Sequence, residues 1–514
     1  MVPRDLKVLF VCAEVAPFSS VGGLSQVAYF LTRALRKLGV DVRIFTPRYG
    51  IIDQSKYRFK TILPKLSVPV GEAEAAPHQP QTIDCSVLIH VDGRSEVPVY
   101  FLENEEYYQK RANVYNYSDD PIRFGLLSRG AVEFVQAGYF TPDIIHANDW
   151  HTGYLFDYLR HDNAYKNDAH LKKIAALLSI HNIYQGLFDF RNASEMDFDD
   201  GKSQLVSFFS DRFVKQNSLK RGVMYSDLAN TVSETYAKEL LNEDYGGGLE
   251  NLFRELRGKL YGILNGLDTA DFNPTTDKII KTNYSKSTLD LRSHNKADLQ
   301  KTFGLDIAPH TPLLAFEGRL DMQKGLELII HNLEFMIEEL GVQFVAVGGG
   351  DQKYLELFRD MEKKYAGKIG THLQRDFLLP RKVFAGADAM FFPSKYEPGG
   401  IVAIEAMRYG CIPIVRATGG LADSVVDYNP MTDTGYGFSF KSFTPEAFLT
   451  AIVRTTETYK NQVAWKKIVR RCMEQDFSWE KSAEKYLDLY KRAIDFRREA
   501  LAPNPSPAFR PLYS

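Results

Sequence analysis

The chain has 514 residues, 44% hydrophobic and 25% charged, with a formal net charge of −2. That length exceeds a single hydrophobic core, so two domains are expected, and no basic surplus points to nucleic acid or an anionic membrane surface. No window reaches the ~18–20 apolar residues of a spanning helix, and the four cysteines, Cys12, Cys85, Cys411 and Cys472, lack the paired spacing of a metal site or disulfide framework.

Near the start, Lys7–Val15 is apolar but short and contains Glu14, unlike a signal peptide, so a reducing cytoplasmic setting is expected. Lys7–Ala13 reads as a buried strand. Gly22-Gly23 follow, then an amphipathic stretch with Leu24, Val27, Leu31, Leu35 and Leu38 on one stripe. With no side chain in the way and helix amides adjacent, Gly22 and Gly23 suit a phosphate; a plain tight turn uses the same residues. Asp41–Pro47 is the next strand and Gly71–Gln81 an exposed loop. Asp143–Ala147, Ile174–Ile180, Asp227–Val232 and Leu260–Leu264 are further strands. Apolar strands alternating with helices predict a parallel sheet covered on both faces.

Two of these strands end in polar clusters, His146–His151 and Ser179–Asn182. Asp149, His181 and Asn182 suit a hydroxyl-rich ligand, with Trp150 and Tyr184 as stacking or packing surfaces. Asn265 closes the last strand of this half. Asp268–Lys278 reads as an interdomain linker, dividing the chain into 1–268 and 269–477, with a segment of about 478–514 packing back on the first domain. The end of that segment, after Phe496, is Pro-rich and reads as irregular.

The rhythm restarts with Pro312–Phe316, a helix from Gly325, and Val342–Val347 ending in three glycines. Strand Ala389–Pro393, a helix from Gly400 and strand Ile412–Val415 complete it. The expected fold class is therefore α/β, with two Rossmann-like doubly wound parallel-sheet domains facing across a cleft. Ligands of such sheets bind outside the carboxyl ends of the strands. Arg319 and Lys324 lie five residues apart around a turn, so both heads can converge on one anion. There they would neutralise charge building on a diphosphate leaving group. Glu397 sits in a loop at a strand's carboxyl edge; Gly399, Gly400 and Ile401 open a helix whose amides and dipole can face an anion. Glu405 lies in the next turn or two. Two carboxylates with bare backbone between them suit a sugar carrying a diphosphate. Thr418-Gly419-Gly420 repeats the strand–glycine–helix device and adds backbone donors.

Assembled in order, HANDWHTG (146–153), SIHNIYQGLF (179–188), TVSETYAKEL (231–240), ILNGLD (263–268), GRLDMQKG (318–325), SKYEPGGI (394–401) and TGGLAD (418–423) resemble the glycogen/starch synthase family of the bacterial type. The resemblance implies the two-domain GT-B fold and retaining transfer of glucose from ADP-glucose to the non-reducing end of an α-1,4-glucan, with no metal or other cofactor. The implied partners are a nucleotide sugar and an α-glucan, with no nucleic acid and no membrane. Carried over by position, Arg319 and Lys324 hold the donor diphosphate, Glu397 sits by the glucose ring and Glu405 binds the ribose. His181 meets the glucose 6-hydroxyl, and Asp149 and Asn265 line the sugar site.

Four positions depart from the family pattern. Ser20 stands for a Lys and Gln26 for an acid beside Gly22-Gly23; Gly399 replaces a frequent Cys; Arg375 falls where a Tyr often meets adenine. They keep two alternatives open: a related retaining transferase with another nucleotide-sugar donor, such as UDP-glucose, or a small acceptor, and a weakly catalytic glucan-binding homologue. Nothing resembles a pyridoxal phosphate site.

Overall fold

The computed structural model describes residues 6–71, 81–91, 97–183 and 200–503. Tyr184, the C-terminal part of the SIHNIYQGLF motif, the Pro-rich tail beyond residue 503 and all of the loop predicted over Gly71–Gln81 except its two ends lie outside them.

The chain divides into two compact units. The first comprises the residues up to Val232, Ala237–Ile263 and the segment from Trp479; the second comprises Ser233–Tyr236 and Leu264–Ser478.

The first unit is built on β1 (Lys7–Val11), β2 (Asp41–Pro47), β3 (Phe59–Pro69), β4 (Thr82–His90), β5 (Val99–Glu103), β6 (Ile144–Asn148), β7 (Ala175–Ile180), β8 (Leu228–Thr231) and β9 (Leu260–Gly262). They form one sheet in the order β3-β4-β5-β2-β1-β6-β7-β8-β9. From β5 to β9 every pairing is parallel. Strands β6 and β7 are buried along their whole length, which is why they read as unbroken apolar runs. In register, Val8 faces Ile144 and Asn148 faces Ser179, so the ends of β6 and β7 lie side by side. Helix Gly23–Lys37 buries Leu24, Val27, Leu31 and Leu35. Its last turn carries Arg36 and Lys37, which complement the helix dipole. Helix Trp479–Ala500 belongs to this unit: Tyr490 Oη lies 2.8 Å from His146 Nδ1, and Asn230 Nδ2 donates to Tyr486 Oη over 3.0 Å.

Strands β3 and β4, joined antiparallel, were not among the predicted elements. The burial of β3 is patchy, with exposed Lys60, Thr61, Pro64 and Lys65 interrupting its apolar residues, so no clean period marks it.

The second unit carries β10 (Leu313–Glu317), β11 (Gln343–Val347), β12 (Ile369–His372), β13 (Ala389–Phe392), β14 (Ile412–Arg416) and β15 (Phe438–Phe440). Their order is β12-β11-β10-β13-β14-β15, all parallel. This is the doubly wound order whose direction reverses between the first and fourth strands, here between β10 and β13, and the crevice at that reversal is the place for a ligand. Its core is formed by Leu314, Phe316, Phe344, Val345, Phe391, Ile414 and their neighbours.

The stretch predicted as a linker is packed onto the second unit. Arg381 pairs with Asp271 and lies 4.4 Å from the Phe272 ring centre, Arg408 Nε donates to Phe272 O over 3.2 Å, and Tyr409 Oη bonds Asp277. The chain leaves the first unit earlier, after Ile263. Among the described residues, no helix is long and apolar enough to cross a membrane.

Candidate active site

In the first unit the ends of β6 and β7 hold one connected polar group. Asn148 Nδ2 donates to Val11 O over 3.0 Å, which turns its Oδ1 toward His181 Nε2 at 2.9 Å. His181 Nε2 is then the protonated nitrogen, and Nδ1 is an acceptor, buried and without a protein partner among the described residues. Burial pushes the His181 pKa down to about 4, so the ring is neutral at pH 7. Asp149 has φ 55° and ψ −174°, a strained backbone for any side chain, which costs on the order of 1–3 kcal/mol. Its Oδ1 accepts from the His181 N–H at 2.7 Å and the Asn182 N–H at 3.3 Å. Burial nonetheless outweighs these bonds and pushes the Asp149 carboxyl up to about 7. Asn182 presents an exposed side chain.

Neighbouring residues of the same motif have other work. His146 is fully buried between Ser179 Oγ at 2.6 Å and Tyr490, and desolvation holds it neutral. Trp150 is buried, its ring 5.2 Å from that of Phe124, so of the two roles foreseen for it packing is the one the structure fills.

The glycine turn after β1 contains a carboxylate absent from the expected site. Glu14, itself buried, accepts the Val21 N–H at 2.6 Å and the Gly22 N–H at 3.1 Å. Those amides are thus satisfied from within the chain. Beside Gly23 the space is open: an added Cβ would meet nothing within 4 Å. Ser20 Oγ lies 2.8 Å from Ser25 Oγ.

In the second unit, the reversal between β10 and β13 holds a small cavity lined by Glu317, Gly318, Lys324, Ser394, Glu397 and Gly400, among others. Lys324 Nζ donates to Glu397 Oε2 over 2.6 Å, and Ser394 Oγ donates to the same oxygen over 3.0 Å. Both charged side chains are mostly shielded, 20% exposed for Lys324 and 16% for Glu397, so the pair is held more strongly than a surface ion pair. Lys324 ends a short turn capped by Asp321, whose carboxylate accepts the Lys324 N–H. Gly325 then reverses the chain at φ 68°, where a Cβ would overlap the Pro393 carbonyl.

The glycine turns that bear on Glu397 interlock. Gly400, at φ 63°, precedes helix Ile401–Arg408. The Gly420 N–H donates to Glu397 O at 2.9 Å and Pro398 O at 3.1 Å, and a Cβ on Gly420 would overlap Gly399 O. Gly419 sits at φ 44° against Glu397 O. The two glycines after buried Thr418 therefore brace the loop carrying Glu397 by direct backbone packing; the Gly420 amide is engaged there. Glu405, in the second turn of the helix, is pushed up to about 8 by burial and then by the charge of Glu317. Asn265 is buried, with Oδ1 unpartnered among the described residues.

Arg319 and Arg375 stand outside this group. The Arg319 side chain is 68% exposed and bonded to Gln323 at 2.8 Å and Asp321 at 3.4 Å, so its head does not converge with that of Lys324 here. Arg375 is exposed, its guanidinium 4.6 Å from the ring centre of Phe377, itself 74% exposed. Glu317, Ser394 and Glu14 are the site residues that sequence reasoning missed. Glu317 had a visible signal: a lone acid closing the apolar run LLAFE just before Gly318-Arg319. Among the described residues no cluster of His, Cys, Asp or Glu is arranged to hold a metal ion.

The family profile for the starch synthase catalytic domain matches residues 7–255, and that for group 1 glycosyl transferases matches residues 300–471. Glycogen synthase of Thermotoga petrophila is 37% identical over 95% of this chain and 99% of its own length. Glycogen synthase of Desulforamulus reducens is 38% identical, again over 95% and 99%. Among solved structures, the catalytic domain of starch synthase IV from Arabidopsis thaliana, bound to ADP and acarbose, superposes with a TM-score of 0.79 at 30% identity, covering 95% of this chain and 99% of that one.

Proposed function

The chain belongs to the glycogen/starch synthase family of GT-B glycosyltransferases, and from that premise we propose that it transfers glucose from ADP-glucose to the non-reducing end of an α-1,4-glucan, with retention. The observation that carries this reading is the Lys324–Glu397 pair at the strand-order reversal of the second sheet. A diphosphate entering there meets a shielded ammonium, and charge developing on the departing phosphate is what Lys324 can stabilise. Arg319, exposed on a side chain long enough to swing, adds a bidentate fork to the same anion. Glu397 sits by the glucose ring, where a carboxylate favours the positive charge of an oxocarbenium-like state. Glu405 binds the ribose hydroxyls.

In the first unit, neutral His181 presents Nδ1 as an acceptor for a hydroxyl proton, which fits a role toward the glucose 6-hydroxyl. Asp149 serves the sugar hydroxyls, as does Asn265 of the second unit. The acceptor 4-hydroxyl attacks from the face that ADP leaves, and a phosphate oxygen of the leaving group takes its proton. No metal or other cofactor enters the reaction.

Arg375 and the Glu14-filled turn at Ser20–Gly22 favour one second reading, a different nucleotide in the donor. Incubation with glycogen and labelled ADP-glucose or UDP-glucose, side by side, separates the two. Incorporation from ADP-glucose supports the first reading, and incorporation from UDP-glucose alone replaces it with the second. Incorporation from neither removes the first reading and points to a different sugar, a different acceptor or a non-catalytic role.

A further inference from the structure

Glu317 closes β10, the strand on one side of the reversal, and lines the same small cavity as Lys324, Ser394 and Glu397. Its surroundings are unusually acidic for a place meant to receive an anion. Lys324 faces it from the turn after β10, Glu397 from the loop after β13, and Glu405 from helix Ile401–Arg408. Beyond Glu405 stand Arg381 and Asp271, which are paired with each other. Arg319, two residues along, points to Asp321 and Gln323. One ammonium, Lys324, thus serves a cavity lined by two carboxyls, with a third behind, and it is already bonded to Glu397.

We propose that Glu317 is a positioning residue that acts through Lys324, setting how strongly the cavity holds a nucleotide diphosphate and weakening that hold when its carboxyl ionises. The inference rests on the reading that Lys324 meets the donor diphosphate. Partial burial among apolar neighbours (Phe316, Phe391, Phe392 and Val402) raises the cost of charging Glu317, and its carboxyl is pushed up to about 7, with Lys324 opposing the shift. As a neutral acid it leaves the field of Lys324 to the ligand. As an anion it competes for the ammonium and repels the phosphates. The sign is fixed: affinity is highest below pH 7 and falls as pH rises through it.

The test is calorimetric titration of the full chain with ADP at intervals from pH 6 to 8.5, for the wild type and Glu317→Gln. Taking the ratio of the two dissociation constants cancels the ionisation of ADP itself. The expected ratio, wild type over variant, is close to 1 at pH 6 and rises to about tenfold at pH 8.5, the scale of one added charge in a protein-like dielectric. A ratio that stays flat while ADP binds both proteins overturns the inference and leaves the donor site standing. Absence of ADP binding to the wild type at every pH removes the site reading and this inference with it. Glu317→Leu, which continues the apolar strand, is expected to show the same loss of pH dependence and replaces the Gln variant if near-UV circular dichroism shows that variant misfolded.

Discussion

The two units put opposite electrostatics at equivalent places, the carboxyl ends of parallel strands. In the first unit burial works against charge: His181 is held neutral at pH 7, and the Asp149 carboxyl, pushed up to about 7, is only half ionised there. Each is fixed by neighbours rather than by an opposite charge, through Asn148 and the His181 amide. In the second unit the centre is an ion pair, Lys324 with Glu397, inside a ring of further carboxyls. Neutral, oriented donors and acceptors suit hydroxyl groups, whose hydrogen bonds need direction more than charge. A shielded ammonium beside a carboxylate suits a diphosphate leaving group and a cationic sugar ring. The same Rossmann-like frame can therefore host either kind of chemistry: burial raises carboxyls in both units, and the Lys324 ammonium sets the second apart.

The comparison breaks most readily at the charged centre. Glu397→Ala is expected to lower turnover by about 10²–10³-fold, with an unchanged far-UV spectrum; turnover near wild type would remove its assigned role. Lys324→Ala comes next, raising the donor KM by about tenfold or more through loss of a charge-assisted contact. An unchanged donor KM would contradict contact with the diphosphate.

In the neutral cluster the sharper test is stability. Asp149 carries a folded-state pKa of about 7, above its ordinary value, so its ionisation costs stability above that pH and the cost fades as pH falls. Asp149→Asn keeps the acceptor oxygen and removes that cost. The variant is expected to melt at least a few degrees above wild type at pH 8.5, with the gap closing by pH 4. A gap independent of pH would show that Asp149 is not desolvated as described. The smallest effect belongs to the structural histidine. Tyr490→Phe strips a hydroxyl from buried His146 and is expected to cost about 1–2 kcal/mol in denaturant unfolding while transfer activity persists.

Much of this was legible in the residues because parallel strands buried on both faces read as continuous apolar runs, as in β1, β6, β7 and β11, and because motifs at strand ends stand out against them. The β3–β4 hairpin did not show, since partly exposed strands lose that contrast. The strand β12, IGTH, is too short and polar to separate from a turn. Within the site, sequence brought out Lys324 and Glu397 but could not show that they bond each other, because their separation of 73 positions is closed only by the sheet. The same holds for Gly420, whose glycine signal suggested a donor to phosphate and whose amide instead braces Glu397. Glu14 escaped notice because a buried carboxylate capping a glycine turn looks, in sequence, like any acid after a strand.

The most direct test of the central claim is transfer of labelled glucose from ADP-glucose onto glycogen by the wild type and Glu397→Ala in parallel, followed by digestion with an exo-acting α-1,4-glucosidase. Incorporation by the wild type, full release of that label on digestion, and only background incorporation by the variant are expected. Label that resists the α-1,4-specific enzyme, or equal incorporation by both proteins, would contradict it.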